Sequence, residues 1–248
     1  SHTHAMPDES SVTVALRIRP LLPKEKAEAC DICITSFPDT KSVVLGSDKR
    51  FTFDHVYDVT TKQADIFGTS VAPLVDAVFQ GYNATAFAYG QTGSGKSYTM
   101  GTGTVMGDQQ EGIIPRVIEN LFTRIESEKH ARRCQFDVFV SYIELYNDTV
   151  KDLLHPSTPP KMITIREDET GSIVVCGVKT QRAYTMSEAL SQVQHGTLYR
   201  ATASTNMNEE SSRSHSILTI HLQQQEGDTL HGEYRRAKFH LVDLAGSE

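Results

Sequence analysis

Gly90-Gln-Thr-Gly-Ser-Gly-Lys-Ser97 fits the pattern G-x-x-x-x-G-K-[ST] without a mismatch. A bound polyphosphate needs several inward-pointing N–H groups, one cation, and one hydroxyl for a divalent metal; this stretch supplies all three. Gly90, Gly93 and Gly95 lack the Cβ that would stop the backbone curling around phosphate oxygens. The Lys96 amine suits the β- and γ-phosphates, and the Ser97 hydroxyl suits the metal.

Such a loop works between a buried strand and a helix. Ala84-Thr-Ala-Phe-Ala-Tyr89 is short and apolar and lies between Gly81 and Gly90, as a sheet strand would. The anion then meets a helix start, where unpaired N–H groups and the macrodipole favour negative charge. Upstream, Val12–Arg19 alternates with period two and closes at Pro20, and Lys41–Leu45 and Arg50–Asp54 form a hairpin about Gly46. Thr60-x-x-Gln63 reads as a capping box opening a helix to about Gln80, bent at Pro73.

Downstream, Gly101–Gly112 is a Gly-rich insertion, followed by Ile114, Val117, Ile118, Leu121, Phe122 and Ile125 at helical spacing. Phe136–Tyr146 is a long strand of β-branched and aromatic residues, and Ile163–Arg166 and Ile173–Val175 are short ones. Thr185-x-x-Glu188 caps a helix to about Ser204. Ile217–Gln223 and Glu233–Leu244 are strands joined by a polar turn at Glu226-Gly-Asp228. Strands alternating with helices around a phosphate loop predict an α/β domain, its central sheet mainly parallel with helices on both faces.

The 248 residues suffice for one large domain, or two small ones, with a substantial core. No apolar run reaches the roughly 18–20 residues of a membrane span, and no signal-peptide core opens the chain. Residues 1–6 read as a cloning remnant, leaving 12–248 as the fold. Cys30-x-x-Cys33 has metal or redox spacing but no second pair to complete a zinc site, so Cys30, Cys33, Cys134 and Cys176 read as reduced thiols of a cytoplasmic protein. A formal charge of −7 disfavours nucleic acid as a partner.

Hydrolysis of a triphosphate requires a sensor for the third phosphate. Asp243-Leu-Ala-Gly246 follows the apolar Phe239–Val242; its Asp suits a metal-bound water and its Gly N–H a γ-phosphate oxygen. Asn208-Glu-Glu-Ser-Ser-Arg-Ser-His215 offers hydroxyls at Ser211 and Ser212 and a cation at Arg213. On its own this stretch reads first as a solvated loop.

Taken together, Arg17-Ile-Arg-Pro20, Gly90–Ser97, Ser211-Ser-Arg-Ser-His215 and Asp243-Leu-Ala-Gly-Ser-Glu248 resemble the kinesin motor domain in order and spacing across residues 12–248. Gly81-Tyr-Asn-Ala84 and Gly112-Ile-Ile-Pro-Arg116 add to the likeness. Arg-Pro-Leu-Leu-Pro-Lys24 and Gly112–Arg116 are most similar to the kinesin-4 group.

The resemblance implies an ATP-hydrolysing, microtubule-stimulated motor using ATP/ADP and Mg²⁺. Arg17, Arg19 and Pro20 would line the adenine side, and Tyr98 would stack on the base. Gly90, Gln91, Thr92, Gly93, Ser94, Gly95, Lys96 and Ser97 would hold the phosphates. Asn208, Ser211, Ser212 and Arg213 would form switch I; Asp243, Gly246 and Glu248 would form switch II. Ser97, Ser212 and Asp243 would serve the metal. Arg213 and Glu248 would close the site with a salt bridge, Glu248 relaying the proton of the attacking water that Ser211 helps to orient.

The segment that follows switch II in the family carries most of its microtubule face. The chain is therefore expected to be the first part of a longer polypeptide, with any oligomer-forming stalk elsewhere. Lys161, Arg166, Lys179 and Arg182 would remain as a minor contact patch. A non-motile scaffold that barely turns over ATP stays open as a second reading. A GTPase is disfavoured by the lack of an N-K-x-D segment.

Overall fold

The computed structural model describes residues 12–102, 110–132, 134–169, 171, 173–204, 210–225 and 234–248. Two compact units divide the chain, Ser1–Ile66 and Phe67–Glu248.

In the first unit, β1 (Ala15–Arg17) is followed by α1 (Pro23–Ala27), β2 (Ile34–Phe37), β3 (Ser42–Leu45), β4 (Lys49–Thr52), β5 (His55–Tyr57) and the short α2 (Gln63–Ile66). β1 runs parallel to β5, from Ala15 beside His55 to Arg17 beside Tyr57. The hairpin expected around Gly46 is present as β3–β4, and Gly46 takes the positive φ (67°) that its turn demands. β2 adds a third antiparallel strand that was not expected.

The expected capping box at Thr60 is replaced by an Asp58 turn. One Asp58 oxygen accepts the N–H and hydroxyl of both Thr60 and Thr61, so the helix starts only at Gln63. Those four donors hold the Asp58 carboxyl below its ordinary range, the Thr60 hydroxyl most of all.

The second unit opens with a π-helical turn, Phe67–Val71, leading into α3 (Ala72–Phe79). Pro73, where the sequence predicts a bend, stands in the first turn of α3 just after the π-helical turn and has no N–H to offer the ladder. Then follow β6 (Ala84–Ala88), α4 (Lys96–Met100), α5 (Ile113–Arg132), β7 (Gln135–Tyr146), β8 (Thr149–Asp152), the hairpin strands β9 (Thr164–Glu167) and β10 (Ile173–Cys176), and β11 (Gln181–Ala183). The unit ends with α6 (Met186–Ser204), α7 (Glu210–Arg213), β12 (His215–Gln225) and β13 (Tyr234–Asp243). The expected turn at Glu226–Asp228 lies outside the described residues.

The central sheet runs β11-β7-β12-β13-β6, with β8 on the far end of β7. It corrects the expected strand direction. The β13–β6 pair is parallel, but β11–β7, β7–β12, β12–β13 and β7–β8 are antiparallel. β12 and β13 are consecutive and adjacent, and such a connection returns the chain in the opposite direction.

Alternation sorts the long strands cleanly. Val138, Val140 and Tyr142 of β7, Leu218, Ile220 and Leu222 of β12, and Ala237, Phe239 and Leu241 of β13 are buried on one face. On that face they join one core with Val75 and Val78 of α3, Ile114, Val117, Ile118 and Leu121 of α5, and Ala189 and Val193 of α6. Lys238, His240, His221 and Ser141, on the other face, are only half-buried. Among the described residues of this unit, the helices of the main core therefore pack on one face, not on both as expected.

Candidate functional site

Parallel pairing of β6 with β13 sets Ala88 opposite Asp243. The phosphate-type loop therefore leaves β6 at the level where the D-x-x-G segment leaves β13. Both segments are tied together past the strands: Leu244 N–H donates to Ala88 O (3.4 Å) and Ser247 N–H to Gly90 O (3.3 Å).

The loop has the backbone its glycines were expected to permit, with φ of 149° at Gly90, 77° at Gly93 and 98° at Gly95. It opens α4 at Lys96 as expected. The Lys96 amine donates to Gly90 O (2.7 Å) and Gln91 O (2.9 Å), so it is folded across the mouth of the loop. Tyr98 is 40% exposed on α4, and its hydroxyl donates to Gln110 Oε1 at 3.4 Å.

Asp243 is the buried centre of the site, at 2% exposure. Its Oδ2 accepts from the Ser97 hydroxyl (2.7 Å) and the Thr102 hydroxyl (3.0 Å), with Arg200 Nη1 at 3.7 Å. Its Oδ1 is buried and has no hydrogen-bond partner among the described residues. An orphaned carboxylate oxygen in a buried setting is costly unless something outside the chain satisfies it.

Strand register supplies the neighbours. Ser216 lies opposite Asp243 on one side and Glu144 on the other, which puts two buried carboxylates in one row across three strands. Arg200 of α6 reaches into that row, with Nε on Glu144 Oε1 (3.2 Å) and Nη2 on Ser214 O and Oγ (3.2 and 3.0 Å). Ser214 Oγ also donates to Glu144 Oε1 at 2.7 Å. One guanidinium thus offsets two desolvated acids, whose mutual repulsion would otherwise oppose folding. Glu144, Arg200 and Thr102 were not expected from sequence. Glu144 alone carried a signal: it is a charged residue on the apolar face of β7, in step with Val138, Val140 and Tyr142.

Gly246 N–H donates to Ser212 O at 2.8 Å, joining the two segments expected to sense phosphate. Glu248 lies over the loop: its carboxylate accepts the Thr92 N–H (2.9 Å) and the Thr92 hydroxyl. Those bonds, the hydroxyl's first, hold its carboxyl below the ordinary range. A Cβ at Gly246 would fall 2.3–2.6 Å from the Glu248 carboxylate oxygens and the Thr92 hydroxyl oxygen, so a side chain there would displace that contact. Asn208 and the Ser211 side chain lie outside the described residues, and Arg213 ends α7.

Arg17, Arg19 and Pro20 belong to the first unit. Arg17 Nη1 donates to the buried Gln63 (2.7 Å). Arg19 forms a two-pronged bond with Glu25 (2.7 and 2.5 Å) that lowers the Glu25 pKa to about 2.

The loop, the helix it opens and the carboxylate ending the neighbouring strand define a phosphate-loop nucleotide-binding protein on a mixed α/β sheet. Within that class the chain belongs to the kinesin motor-domain family, whose model matches residues 17–248. Chromosome-associated kinesin KIF4A of Homo sapiens is 46% identical over 240 residues, covering 96% of this chain and 19% of that protein. KIN-4A of Gossypium hirsutum is 44% identical over 271 residues, covering 97% and 26%. The likeness to the kinesin-4 group is thereby shown. A solved fast kinesin superposes with a TM-score of 0.88 at 38% identity, over 96% of this chain and 66% of that one. The chain thus spans about a fifth to a quarter of the length of these curated relatives.

Proposed function

We propose that this chain is the nucleotide-binding and phosphate-sensing part of an ATP-hydrolysing microtubule motor. The observation that carries the reading is Asp243, with one oxygen saturated by Ser97 and Thr102 and the other buried without a partner among the described residues. A metal-bound water fits that acceptor, and the Ser97 hydroxyl beside it is a hard oxygen donor of the kind Mg²⁺ prefers. Ser97, Asp243 and, from the adjoining segment, Ser212 would hold the ion. When bound, Mg²⁺ would neutralise charge on the β- and γ-phosphates.

Lys96 would exchange the Gly90 and Gln91 carbonyls for phosphate oxygens, and the glycine-rich backbone would present its N–H groups to the same oxygens. Glu248 is ionised at neutral pH, but it is a poor proton acceptor while Thr92 saturates it. Release from Thr92 would strengthen it as a base and free it to pair with Arg213 and take the water's proton. Because Gly246 is bonded to Ser212, a shift at the γ-phosphate would move both segments together. Catalysis of this kind is positioning and charge stabilisation rather than covalent chemistry.

The partner face is supported by the β9–β10 hairpin, which exposes Ile165, Ile173 and Val175 and carries Arg166, while Lys161 lines one cavity with Ile165. Arg182 is a weaker candidate, since it is paired with Asp137 and packed over the Phe139 and Tyr184 rings.

Fluorescent-ATP binding and microtubule-stimulated phosphate release, measured on the full-length protein, test the proposal. Turnover that rises with microtubule concentration is expected, and turnover that stays flat would overturn the motor. Tight nucleotide binding with static microtubule attachment in single-molecule tracking would favour the scaffold.

A further inference from the structure

Thr102 stands at the start of the Gly-rich insertion. It is buried, at 8% exposure. Gly101 ends α4 in the left-handed region (φ 85°), and both Gly101 N–H (2.8 Å) and Thr102 N–H (3.1 Å) donate back to Ser97 O. Gly112, at the far end of the insertion, presses against that turn. A Cβ there would fall 2.3 Å from Gly101 N and 2.6 Å from Thr99 O, both backbone atoms that cannot give way. The two glycines pinch the insertion closed at its base and hold Thr102 turned inward, its hydroxyl 3.0 Å from Asp243 Oδ2.

We infer that Thr102 is a positioning residue for the metal: it fixes the Asp243 carboxylate so that Oδ1, the oxygen without a partner, faces the ion's water. This rests on the nucleotide–Mg²⁺ reading above. The reason a second hydroxyl matters is that Ser97 has two tasks. In this structure Ser97 donates to Asp243 Oδ2, and in the loaded site its hydroxyl oxygen would also ligate the ion. Any shift of Ser97 toward the metal weakens its bond to Asp243. The donors then left on Oδ2 are Thr102 and the more distant Arg200 at 3.7 Å. Arg200 is shared with Glu144 and Ser214, so the carboxylate's rotation about its terminal torsion depends on Thr102. The insertion's base thereby bears on how tightly the metal is held.

The test measures release of fluorescent ADP from the full-length protein as free Mg²⁺ is titrated, for wild type, Thr102→Val and Thr102→Ser. Valine keeps the shape and removes the donor; serine restores it. A hydrogen bond to a charged acceptor predicts that Thr102→Val needs about tenfold more Mg²⁺ for half-maximal nucleotide retention. Thr102→Ser should follow wild type, and release in chelator should be the same for all three. Gly112→Ala, which must displace the pinch, should shift the midpoint in the same direction as valine. A Thr102→Val midpoint within twofold of wild type overturns the inference. So does a Thr102→Ser that behaves like valine, or an equal change of release in chelator, either of which marks a merely structural residue. A wild type whose ADP release ignores Mg²⁺ overturns the nucleotide–metal reading itself, a result distinct from a wild type that titrates alongside an identical Thr102→Val.

Discussion

Lys96 shows how much of this site can be read one residue at a time. Its amine rests on two carbonyls of its own loop, bonds that a phosphate would replace with stronger, charge-assisted ones. Lys96→Ala should weaken ATP binding at least ~10-fold by calorimetry, since a bond to a charged partner is lost outright. Glu248→Ala should do the opposite: ATP binding is retained while single-turnover hydrolysis slows at least ~100-fold through loss of the carboxylate proposed to position the water. Near-normal turnover would remove Glu248 from the mechanism. The place of Lys96 is written in consecutive letters, Gly90–Ser97, whereas the role proposed for Glu248 comes from the family resemblance of Asp243–Glu248. Arg200, Glu144 and Thr102 were not legible, because the Arg200–Asp243, Arg200–Glu144 and Thr102–Asp243 contacts span 43, 56 and 141 positions of sequence and exist only in the folded chain.

Those contacts come from elements, above all α6 and the strands it covers. Gly196 sits where α6 meets β7, and a Cβ there would fall 2.5 Å from Cδ1 of the fully buried Tyr142 ring. Gly196→Ala should therefore destabilise by about 1–3 kcal/mol in chemical denaturation, despite alanine's better helix propensity. One turn further along, Arg200→Ala should cost about 3–5 kcal/mol, because it leaves Glu144 and Asp243 buried without their shared cation. Arg200→Lys should recover only part of that loss, since an ammonium cannot bond in three directions from one plane. The elements themselves were largely legible: the apolar spacing of Ile114–Ile125 and the alternation of Phe136–Tyr146 and Ile217–Gln223 gave α5, β7 and β12. Strand direction was not, because alternation looks the same whichever way a neighbour runs; the phosphate loop suggested parallel neighbours, and β6–β13 alone in this sheet obeys it.

At the scale of the whole molecule, the half-buried face of the sheet sets a pH limit on stability. His221 lies on that face of β12, opposite Lys238 of β13 and Phe139 of β7, with His240 next along β13 and Ser141 next along β7. Burial first, then the charge of Lys238 and the neighbouring His240, push its pKa down from 6.5 to about 4, and burial likewise lowers His240. A histidine with a depressed folded pKa binds its proton more readily in the unfolded chain. Between pH 6.5 and about 4 the unfolded state therefore takes up protons that the native state refuses, and stability falls as the solution is acidified. Above pH 6.5 both states are neutral and the effect vanishes. The Glu25–Arg19 pair adds little within that window, because a carboxyl depressed to about 2 stays ionised in the folded unit and its own loss comes chiefly below pH 4.5. Urea denaturation at pH 7.5, 6.0 and 5.0 should show the midpoint dropping stepwise, and His221→Gln, which keeps a polar group beside Ser141 but cannot titrate, should flatten much of the slope. If wild type and His221→Gln fall in parallel, the acid sensitivity belongs to His240 or to carboxylates elsewhere.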